Sequence, residues 1–505
     1  MKFDDVLETI GPFGKYQKIR CFLLCLFSFV SAWHAFNMVF IGAEPKFHCD
    51  NENINISSSN KSNVSDDVLL ELLVPDDPCK QYDEKDIVML YDNYTGNHVL
   101  LSNISTTDCT RGFWYSKEKY SSTIFDLVCK KKFWTSTSKS VFFLGRLCGA
   151  VSFGQLSDRF GRRPMFFVGA AILLVAGSIA AAAQNIYMFL PMYFLQATEL
   201  VGPEYRFLVS VTIQMFYSVG CMILSGMAYL LRDWRYLELA ITLPVVLFAT
   251  YWWFLPESVR WLLSHNRYDE AHKYLQEAAA TNGTTLSPSI MKSLQDDNNN
   301  VKTGKKYGSV PPSVWDKTIL YIHTVIHDTL QLKIECPFAN ALVYYGLSLN
   351  TENLVGDPYL NFCIAGAVEI PAYILCIVFL NKVGRKLIVV ISMLTIVLAM
   401  IGKFFITASY GMLYLLAAEV FPTVVRNIGV GVSSMSGSIG GILVPSLLDL
   451  NTIWTPLPLV IFGSLSITAG TLALLLPETT DKPMPQLLED FGKIEGKNRK
   501  YSIYV

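Results

Sequence analysis

The chain has 505 residues, of which 51% are hydrophobic and only 16% are charged. Soluble proteins carry about 25% charged residues, so this composition, with a mean hydropathy of +0.34, excludes both a water-soluble globular protein and a disordered chain. The 41 basic and 42 acidic residues give a formal net charge of -1, which gives no indication of nucleic-acid binding. The composition predicts an integral membrane protein that contacts the lipid bilayer.

The first apolar segment, residues 19–41, sets the expected orientation in the bilayer. It is long enough for a span of about 20 residues, and Lys15, Lys18 and Arg20 lie at its start. Because basic residues flank spans on the cytoplasmic side, residues 1–18 are expected in the cytoplasm. A cleavable signal peptide is a weaker interpretation, since no small-x-small cleavage site follows.

The polar residues 42–137 that follow are expected to form an extracellular loop. Dense glycosylation sequons and clustered cysteines indicate an oxidising, luminal environment. The cysteine spacings of 30, 30 and 20 residues fit no zinc pattern, so two disulfides are predicted, with three pairings open. The cysteines are Cys49, Cys79, Cys109 and Cys129, and the sequons begin at Asn55, Asn60, Asn63, Asn93 and Asn103.

Further apolar segments divide the rest of the chain into two groups of spans. They lie at 140–156, 164–183, 207–231 and 236–255, and then at 338–349, 360–380, 387–419, 428–448 and 456–476. The predicted organisation is a first helical bundle over 19–256, a cytoplasmic linker over 257–317, a second bundle over 318–477 and a cytoplasmic tail over 478–505. The linker is expected to contain one or two surface helices.

Three sequence motifs recur at nearly one offset. GQLSDRFGRR at 154–163 is echoed by NKVGRK at 381–386, TELVGPEYR at 198–206 by AEVFPTVVR at 418–426, and PES at 256–258 by PET at 477–479. The offsets are 384 − 161 = 223, 426 − 206 = 220 and 477 − 256 = 221. The two bundles are therefore predicted to be related repeats, as in transporters with a substrate site at the membrane midplane.

The first of these motifs fills a very short loop between two spans. One interpretation of its arginines is a positive-inside anchor, which fixes the loop on the cytoplasmic side. Alternatively, Asp158 pairs with an arginine or with the positive end of a neighbouring helix in one conformational state only, which would make the motif a latch. The candidate gating residues are Asp158, Arg159, Gly161, Arg162, Arg163, Glu199, Arg206, Lys382, Arg385, Lys386, Glu419 and Arg426.

This loop motif resembles that of the major facilitator superfamily. Four further segments resemble its organic cation, carnitine and organic anion transporters: PESVRWL at 256–262, SLN at 348–350, GDPYLNF at 356–362 and FPTVVRN at 421–427. The large glycosylated first loop matches as well, whereas sugar transporters lack it. The resemblance implies an all-α polytopic membrane protein with the major facilitator fold of two related six-helix bundles, which transports small organic ions.

Charged residues inside spans are the first candidates for substrate binding, because charges in the membrane are costly. Glu369 matches the family position that receives a cationic head group, although a buried, protonated or paired glutamate is the structural alternative. Lys403 matches a basic family position that either balances Glu369 or holds a substrate carboxylate. Ser438 replaces the aspartate or arginine common in the family, and Arg146 is expected either to face the cavity or to extend to an interface.

Aromatic side chains on the cavity-lining spans are candidate partners for a cation, although packing is the more common role of such rings. These residues are Trp33, Phe36, Tyr344, Tyr345 and Tyr373. His34 is interpreted as a packed or interfacial residue.

No catalytic motif is recognisable, so an enzyme is not expected. The sequence contains neither a Gly-x-Ser-x-Gly elbow nor a Walker loop, and His323 and His327 lack the glutamate of a zinc protease motif. No cofactor or metal is expected, and the energy for transport would come from the substrate gradient, the membrane potential or a coupled ion.

The chain is shorter than its family requires around spans 4 and 9–10. Residues 164–197 supply 34 positions and 387–418 supply 32, whereas two spans and a turn need more than about 40. Shortened hairpins, a splice form and a faulty gene model are the alternatives, and missing coding segments are favoured.

The sequence thus predicts a plasma-membrane transporter of small organic cations or carnitine-like zwitterions, with both termini cytoplasmic. An organic anion transporter and a truncated, transport-inactive family member are the alternatives.

Overall fold

The computed structural model describes residues 6, 10–11, 14–50, 75, 77–83, 105–110, 112–198, 207–285, 331–353, 356–383, 399–420 and 426–474. The first group of helices is α1 (Lys15–Phe36), α2 (Met38–Ile41), α3 (Phe133–Phe160), α4 (Arg162–Ala181), α5 (Ile186–Thr198), α6 (Phe207–Leu230), α7 (Trp234–Thr242) and α8 (Tyr251–Phe254). Two helices follow in the linker, α9 (Val259–Ser264) and α10 (Tyr268–Asn282). The second group is α11 (Gln331–Leu349), α12 (Pro358–Val383), α13 (Ala399–Val420), α14 (Arg426–Leu448) and α15 (Leu457–Ala473).

The described helices confirm a polytopic membrane protein. Six stretches are long and apolar enough to cross a bilayer: Lys15–Ile41, Arg162–Ala181, Val211–Leu230, Trp234–Phe254, Pro358–Leu375 and Gly431–Thr452. Helix α3 is longer than any of these but carries Lys139, Arg146, Asp158 and Arg159, which lower its hydropathy. Helices α9 and α10 lie within residues 257–317, the stretch predicted to be a linker.

The two groups of helices pack face to face. Helix α3 lies against α14, and α6 lies against α12, so each contact joins one group to the other. One hydrophobic core runs through both groups and includes Phe36, Phe143, Tyr345 and Phe362. The hydrophobic core is therefore continuous across the boundary between the two repeats.

Helix α5 is described as far as Thr198, and residues 199–206 lie outside the described residues. The apolar stretch 186–198 has 13 residues in the sequence, which as a helix rise about 20 Å, whereas the hydrocarbon core of a bilayer is about 30 Å thick. Glu199 directly follows it in the sequence and ends the apolar stretch. The region around spans 9 and 10 falls largely on residues 384–398, which lie outside the described residues.

The loop between α2 and α3 contains two small antiparallel strand pairs. Strand β1 (Phe47–Cys49) pairs with β4 (Phe113–Tyr115), and β2 (Lys80–Tyr82) pairs with β3 (Thr106–Asp108). Two disulfides join these segments and confirm the predicted bonds: Cys49–Cys109 and Cys79–Cys129. The structure thus selects one of the three possible pairings. The asparagines of the five predicted glycosylation sequons lie outside the described residues.

We call the end of the bundle that carries this disulfide-bonded loop the loop end, and the end that carries α9 and α10 the linker end. At the linker end, Val6 and Ile10 pack against Leu275, Ala278 and Ala279 of α10. The Asn282 side chain accepts a hydrogen bond from the Tyr16 amide at 3.0 Å and donates one to the Ile10 carbonyl at 3.1 Å. The linker helix is therefore attached to the N-terminal segment.

The disulfide pairing can be tested by thiol labelling. Cys49→Ser should leave Cys109 reactive toward a maleimide, because its partner is gone, while Cys79 and Cys129 stay protected. Peptide mass mapping after labelling under non-reducing conditions measures this. Cys79→Ser is the matched control and should free Cys129 alone. Labelling of Cys79 or Cys129 in the Cys49→Ser protein contradicts the pairing.

Candidate functional site

A buried ion pair lies in the second group of helices. The Lys403 Nζ of α13 lies 2.8 Å from the Glu369 Oε1 of α12. Glu369 is 1% exposed and Lys403 is 3% exposed, so both charges are withdrawn from water. Two opposite charges at this distance attract each other far more strongly in a low-dielectric interior than in water. The sequence prediction that Lys403 balances Glu369 agrees with this geometry.

Three polar side chains complete the surroundings of the pair. The Tyr344 hydroxyl donates to Glu369 Oε1 at 3.0 Å, and the Ser218 hydroxyl donates to Glu369 Oε2 at 2.6 Å. Lys403 Nζ donates to the Ser348 hydroxyl and lies 3.9 Å from the centre of the Tyr344 ring, a cation–π distance. Ser218 belongs to α6, so the first repeat contributes directly to the site.

Small residues allow the helices to approach closely at this point. A Cβ added at Gly366 of α12 would lie 3.1 Å from the Ser218 carbonyl oxygen of α6. Gly366 is three residues before Glu369 and lies on the same helix face, which brings the Glu369 carboxylate within reach of the Ser218 hydroxyl. A Cβ at Gly411 of α13 would lie 3.1 Å from the Tyr373 ring.

A second group of side chains surrounds Tyr345 at the boundary of the repeats. Arg146 Nη1 donates to the Tyr345 hydroxyl, and the guanidinium carbon lies 5.8 Å from the ring centre. Ring centres of Phe143 and Phe36 lie 4.6 Å and 6.2 Å from that of Tyr345. Arg146 therefore faces the boundary between the repeats, as one of its two predicted placements required. Tyr344 and Tyr345 are edge to face at 5.3 Å, which connects this group to the ion pair.

The remaining predicted binding residues are buried in packing positions. The Trp33 indole donates to the Gly220 carbonyl at 3.0 Å, and Tyr373 packs beside Gly411. The Ser438 hydroxyl donates to the Ser434 carbonyl of its own helix at 3.0 Å. None of these three contacts Glu369 among the hydrogen bonds and ion pairs of the described residues. The structure thus gathers Glu369, Lys403 and Tyr344 into one group, and Phe36, Tyr345 and Arg146 into an adjoining one.

The loop motif at the linker end is organised around Glu257. The Glu257 carboxylate accepts the Arg162 amide at 3.0 Å and the Arg163 amide at 3.2 Å, at the start of α4. An acidic group in this position satisfies unpaired amides and complements the positive end of the helix dipole. Gly161 has φ +103° and ψ 154°, and a Cβ there would lie 2.4 Å from Glu257 Oε2. Glycine is required at this position for both reasons.

The predicted gating residues are placed as follows. Asp158 is exposed, and its carbonyl accepts the Trp261 indole at 2.9 Å, while its carboxylate has no partner among the described residues. Arg159 lies over the Phe160 ring, and Arg163 lies over the Trp252 ring and donates to the Trp252 carbonyl. Glu199, Arg206, Arg385 and Lys386 lie outside the described residues, as do the side chains of Lys382, Glu419 and Arg426.

Sequence reasoning missed several residues of these sites. Ser218 carries no charge and so gives no signal inside an apolar span. Glu257 was recognised in a repeated motif, but not as the partner of the α4 amides. Glu238, within the span Trp234–Phe254, was overlooked although a charge inside a span is itself a signal. Among the described residues, no group of three or more His, Cys, Asp or Glu side chains is arranged to hold a metal ion.

The ion pair makes a prediction about stability. Lys403→Met should lower the free energy of unfolding by about 3–5 kcal/mol, because Glu369 is left as an uncompensated buried charge. Adding Glu369→Gln to that variant should recover most of the loss. Thermal unfolding of the purified protein measures both effects.

Lys132→Met is the matched control for that experiment, because Lys132 and Glu44 form an exposed ion pair with side chains 50% and 40% exposed. Its effect should be about 0–1 kcal/mol. If Lys403→Met and Lys132→Met lower the free energy of unfolding equally, burial does not strengthen the Glu369–Lys403 pair and the prediction is wrong.

The turn before α4 makes another prediction. Gly161→Ala should destabilise the protein by more than about 1 kcal/mol, since the new Cβ collides with Glu257 in a backbone conformation that alanine avoids. Gly154→Ala is the control, because a Cβ there meets nothing within 4 Å and alanine favours the helix. Thermal unfolding of both variants compares them, and a Gly161→Ala protein as stable as Gly154→Ala overturns this account.

Comparison with known proteins identifies the family. The family model described as "Sugar (and other) transporter" matches residues 23–197 and 185–410. An "Organic cation transporter protein" of Drosophila melanogaster is 40% identical over 98% of this chain and 95% of its own length. The human "Organic cation/carnitine transporter 2" is 30% identical over 99% and 95%, and a Drosophila melanogaster "Beta-alanine transporter" is 32% identical over 97% and 89%.

The fold comparison agrees. The structure of the proton:xylose symporter XylE bound to 6-bromo-6-deoxy-D-glucose superposes with a TM-score of 0.53, at 14% identity, over 91% of this chain and 97% of that one. A double-tryptophan variant of XylE gives a TM-score of 0.55 over 94% and 98%. These similarities show the major facilitator fold.

The alignment to the 40% identical relative covers 537 positions, while 98% of 505 residues is about 495, so about 537 − 495 = 42 positions lack a residue of this chain. By its sequence and fold, the chain belongs to the organic cation, carnitine and organic anion transporter family of the major facilitator superfamily.

Proposed function

We propose that this protein is a secondary transporter that moves small organic cations or carnitine-like zwitterions across the plasma membrane by alternating access. The observation that carries the proposal is the buried Glu369–Lys403 pair, which borders the boundary between the two repeats. Charged residues inside a membrane span are costly and usually mark a functional site. This pair presents one negative and one positive charge to a substrate.

The pair suits a substrate that carries an ammonium group and a carboxylate. The ammonium group would replace Lys403 beside Glu369 and Tyr344, and the carboxylate would bind the released Lys403. Neither buried charge is then left uncompensated, which would otherwise cost several kcal/mol. Two relatives support this substrate class by name, because carnitine and β-alanine both carry one positive and one negative group.

The described conformation is closed at the loop end. The rings of Phe40 and Tyr359 stack at 5.4 Å, and the Tyr359 hydroxyl donates to the Lys119 carbonyl at 2.7 Å. The Ser140 hydroxyl of α3 donates to the Ile442 carbonyl of α14 at 2.9 Å. In contrast, residues 151–160 of α3, near the linker end, are all exposed or partly exposed. This difference supports rocking of the repeats about the midplane, with the predicted gating residues controlling the linker end.

An organic anion is the second candidate substrate. Arg146 places a guanidinium group beside Tyr345 at the boundary of the repeats, and the neutral Ser438 adds no acidic group there. A transport-inactive protein is the third alternative, which is favoured by the 34 residues that 164–197 supply for two spans.

The decisive experiment is uptake of labelled carnitine and labelled tetraethylammonium, normalised to surface-biotinylated protein. Glu369→Gln should reduce saturable uptake of both by about 30-fold or more, because loss of one buried charge contact costs about 2 kcal/mol or more. The voltage dependence of uptake should change as well. Glu44→Gln is the control, since its ion pair is exposed and it should transport normally.

The other outcomes separate the alternatives. Uptake unchanged by Glu369→Gln rejects the proposed role of Glu369. Uptake of a labelled dicarboxylate, with neither carnitine nor tetraethylammonium taken up, identifies an anion transporter. Surface protein that takes up none of the three supports the inactive alternative.

A further inference from the structure

A second buried carboxylate lies inside the first repeat, away from the ion pair. Glu238 of α7 and His34 of α1 are both 0% exposed. The Asn37 amide donates to Glu238 Oε2 at 2.8 Å, and the Gln196 amide donates to Glu238 Oε1 at 2.9 Å. The Tyr193 hydroxyl donates to the Asn37 side-chain oxygen at 2.7 Å. We call these five residues the Glu238 network.

Glu238 lacks the positively charged partner that Lys403 provides for Glu369. No lysine, arginine or histidine of the described residues lies within ion-pair distance of Glu238, and its two partners are neutral amides. An ionised carboxylate without a counter-charge is costly in a dry interior, and the usual way to remove that cost is to bind a proton. The position of Glu238 therefore favours a group that exchanges a proton.

Few other ionisable groups surround it. Among the elements packed against α7, His34 of α1 and Tyr193 of α5 face Glu238. Arg162 and Arg163 lie at the far end of α4, where they meet Glu257 and Trp252. Helix α6 carries Tyr217 and Cys221, and its Tyr217 ring packs against Phe36 rather than Glu238. Within α7 itself, Arg235 donates to the Ala181 carbonyl.

Gln196 connects Glu238 to His34. Its side-chain oxygen accepts from His34 Nδ1 at 3.2 Å, while its side-chain nitrogen donates to Glu238. His34 Nε2 has no hydrogen bond of full geometry among the described residues, although the ring is fully buried and interacts with the Ile241 backbone. A buried nitrogen of this kind can accept a proton. In this arrangement His34 carries a proton at Nδ1 and Glu238 accepts two hydrogen bonds.

The network permits a second arrangement. When Glu238 takes up a proton from water, its new O–H needs an acceptor. Rotation of the Gln196 amide by half a turn presents the Gln196 oxygen to Glu238 and the Gln196 nitrogen to His34 Nδ1. The His34 proton then resides on Nε2. The two arrangements differ by one proton on Glu238 and by the tautomer of His34.

Helix α1 links this network to the candidate substrate site. Trp33 and Phe36 contact the boundary side, where Trp33 bonds to Gly220 and Phe36 packs against Tyr345 and Phe362. The neighbouring His34 and Asn37 belong to the Glu238 network on the other side of the helix. Helix α1 is therefore the element through which we expect the two sites to be coupled.

We propose that Glu238, Gln196 and His34 form a proton-binding site that couples transport to the pH gradient. The coupling rests on the proposed function, because it requires a transported substrate. Proton binding itself does not, so the two can fail separately.

The test uses purified protein in liposomes, with the membrane potential held at zero and a pH difference of one unit imposed. For one proton per substrate, the gradient should change the accumulation of tetraethylammonium or carnitine by up to about tenfold. The Glu238→Gln protein should still take up substrate down the concentration gradient of that substrate. The imposed pH gradient should no longer change how much substrate it accumulates. A wild-type protein that ignores the gradient, or a Glu238→Gln protein that still responds, overturns the coupling.

Infrared spectroscopy supplies a readout that does not depend on transport. A carbonyl band of a protonated carboxyl group should appear as pH falls in the wild type, persist in Glu369→Gln and be missing in Glu238→Gln. If no variant transports, the proposed function fails while this band still decides the proton site. Should Glu238→Gln misfold, His34→Gln replaces it and should shift the pH at which the band appears. A band that is the same in Glu238→Gln and His34→Gln as in the wild type overturns the proposal.

Discussion

The arrangement of the second repeat depends on one buried ion pair. Glu369 and Lys403 neutralise each other in a low-dielectric interior. If either residue lost its partner, an uncompensated charge would remain buried in the apolar core. Four helices meet at the pair, since Tyr344 of α11 and Ser218 of α6 both donate to the same carboxylate. Any movement of the repeats that breaks the Ser218 contact leaves one carboxylate oxygen in need of a new partner. A substrate ammonium group is a partner of the right charge.

The two repeats deal with a buried carboxylate in different ways. In the second repeat a lysine supplies the counter-charge, whereas in the first repeat two amides surround Glu238. The first arrangement holds a permanent charge pair, and the second leaves the charge dependent on a proton. Helix α1 lies between the two sites, because its Phe36 packs against Tyr345, which adjoins the ion pair, and its His34 belongs to the Glu238 network. The related folds of the repeats thus support different electrostatic roles.

Much of this organisation can be predicted from the sequence, because charge, hydropathy and repeated motifs are local properties. Glu369 was identified by a charge in an apolar span, and the halves by echoes at a constant offset. The roles of Ser218 and Glu257 could not be predicted, since they depend on contacts with residues 151 and 95 positions away. The cysteine pairing could not be predicted for the same reason, because the bonded cysteines are 60 and 50 positions apart. The short apolar stretch at residues 186–198 can be read from the sequence alone, because bilayer thickness sets a span length that does not depend on tertiary contacts.

The short apolar stretch at residues 186–198 has a consequence for the membrane around the protein. Between Asn185 and Glu199, its 13 residues rise about 20 Å as a helix, which is less than the roughly 30 Å of a typical hydrocarbon core. Such hydrophobic mismatch is relieved by local thinning of the bilayer or by extension of flanking side chains, at a cost for each ångström. Lipids with shorter acyl chains reduce that cost. Because α5 also carries Tyr193 and Gln196, the thickness of the surrounding membrane acts on the same residues that hold Glu238.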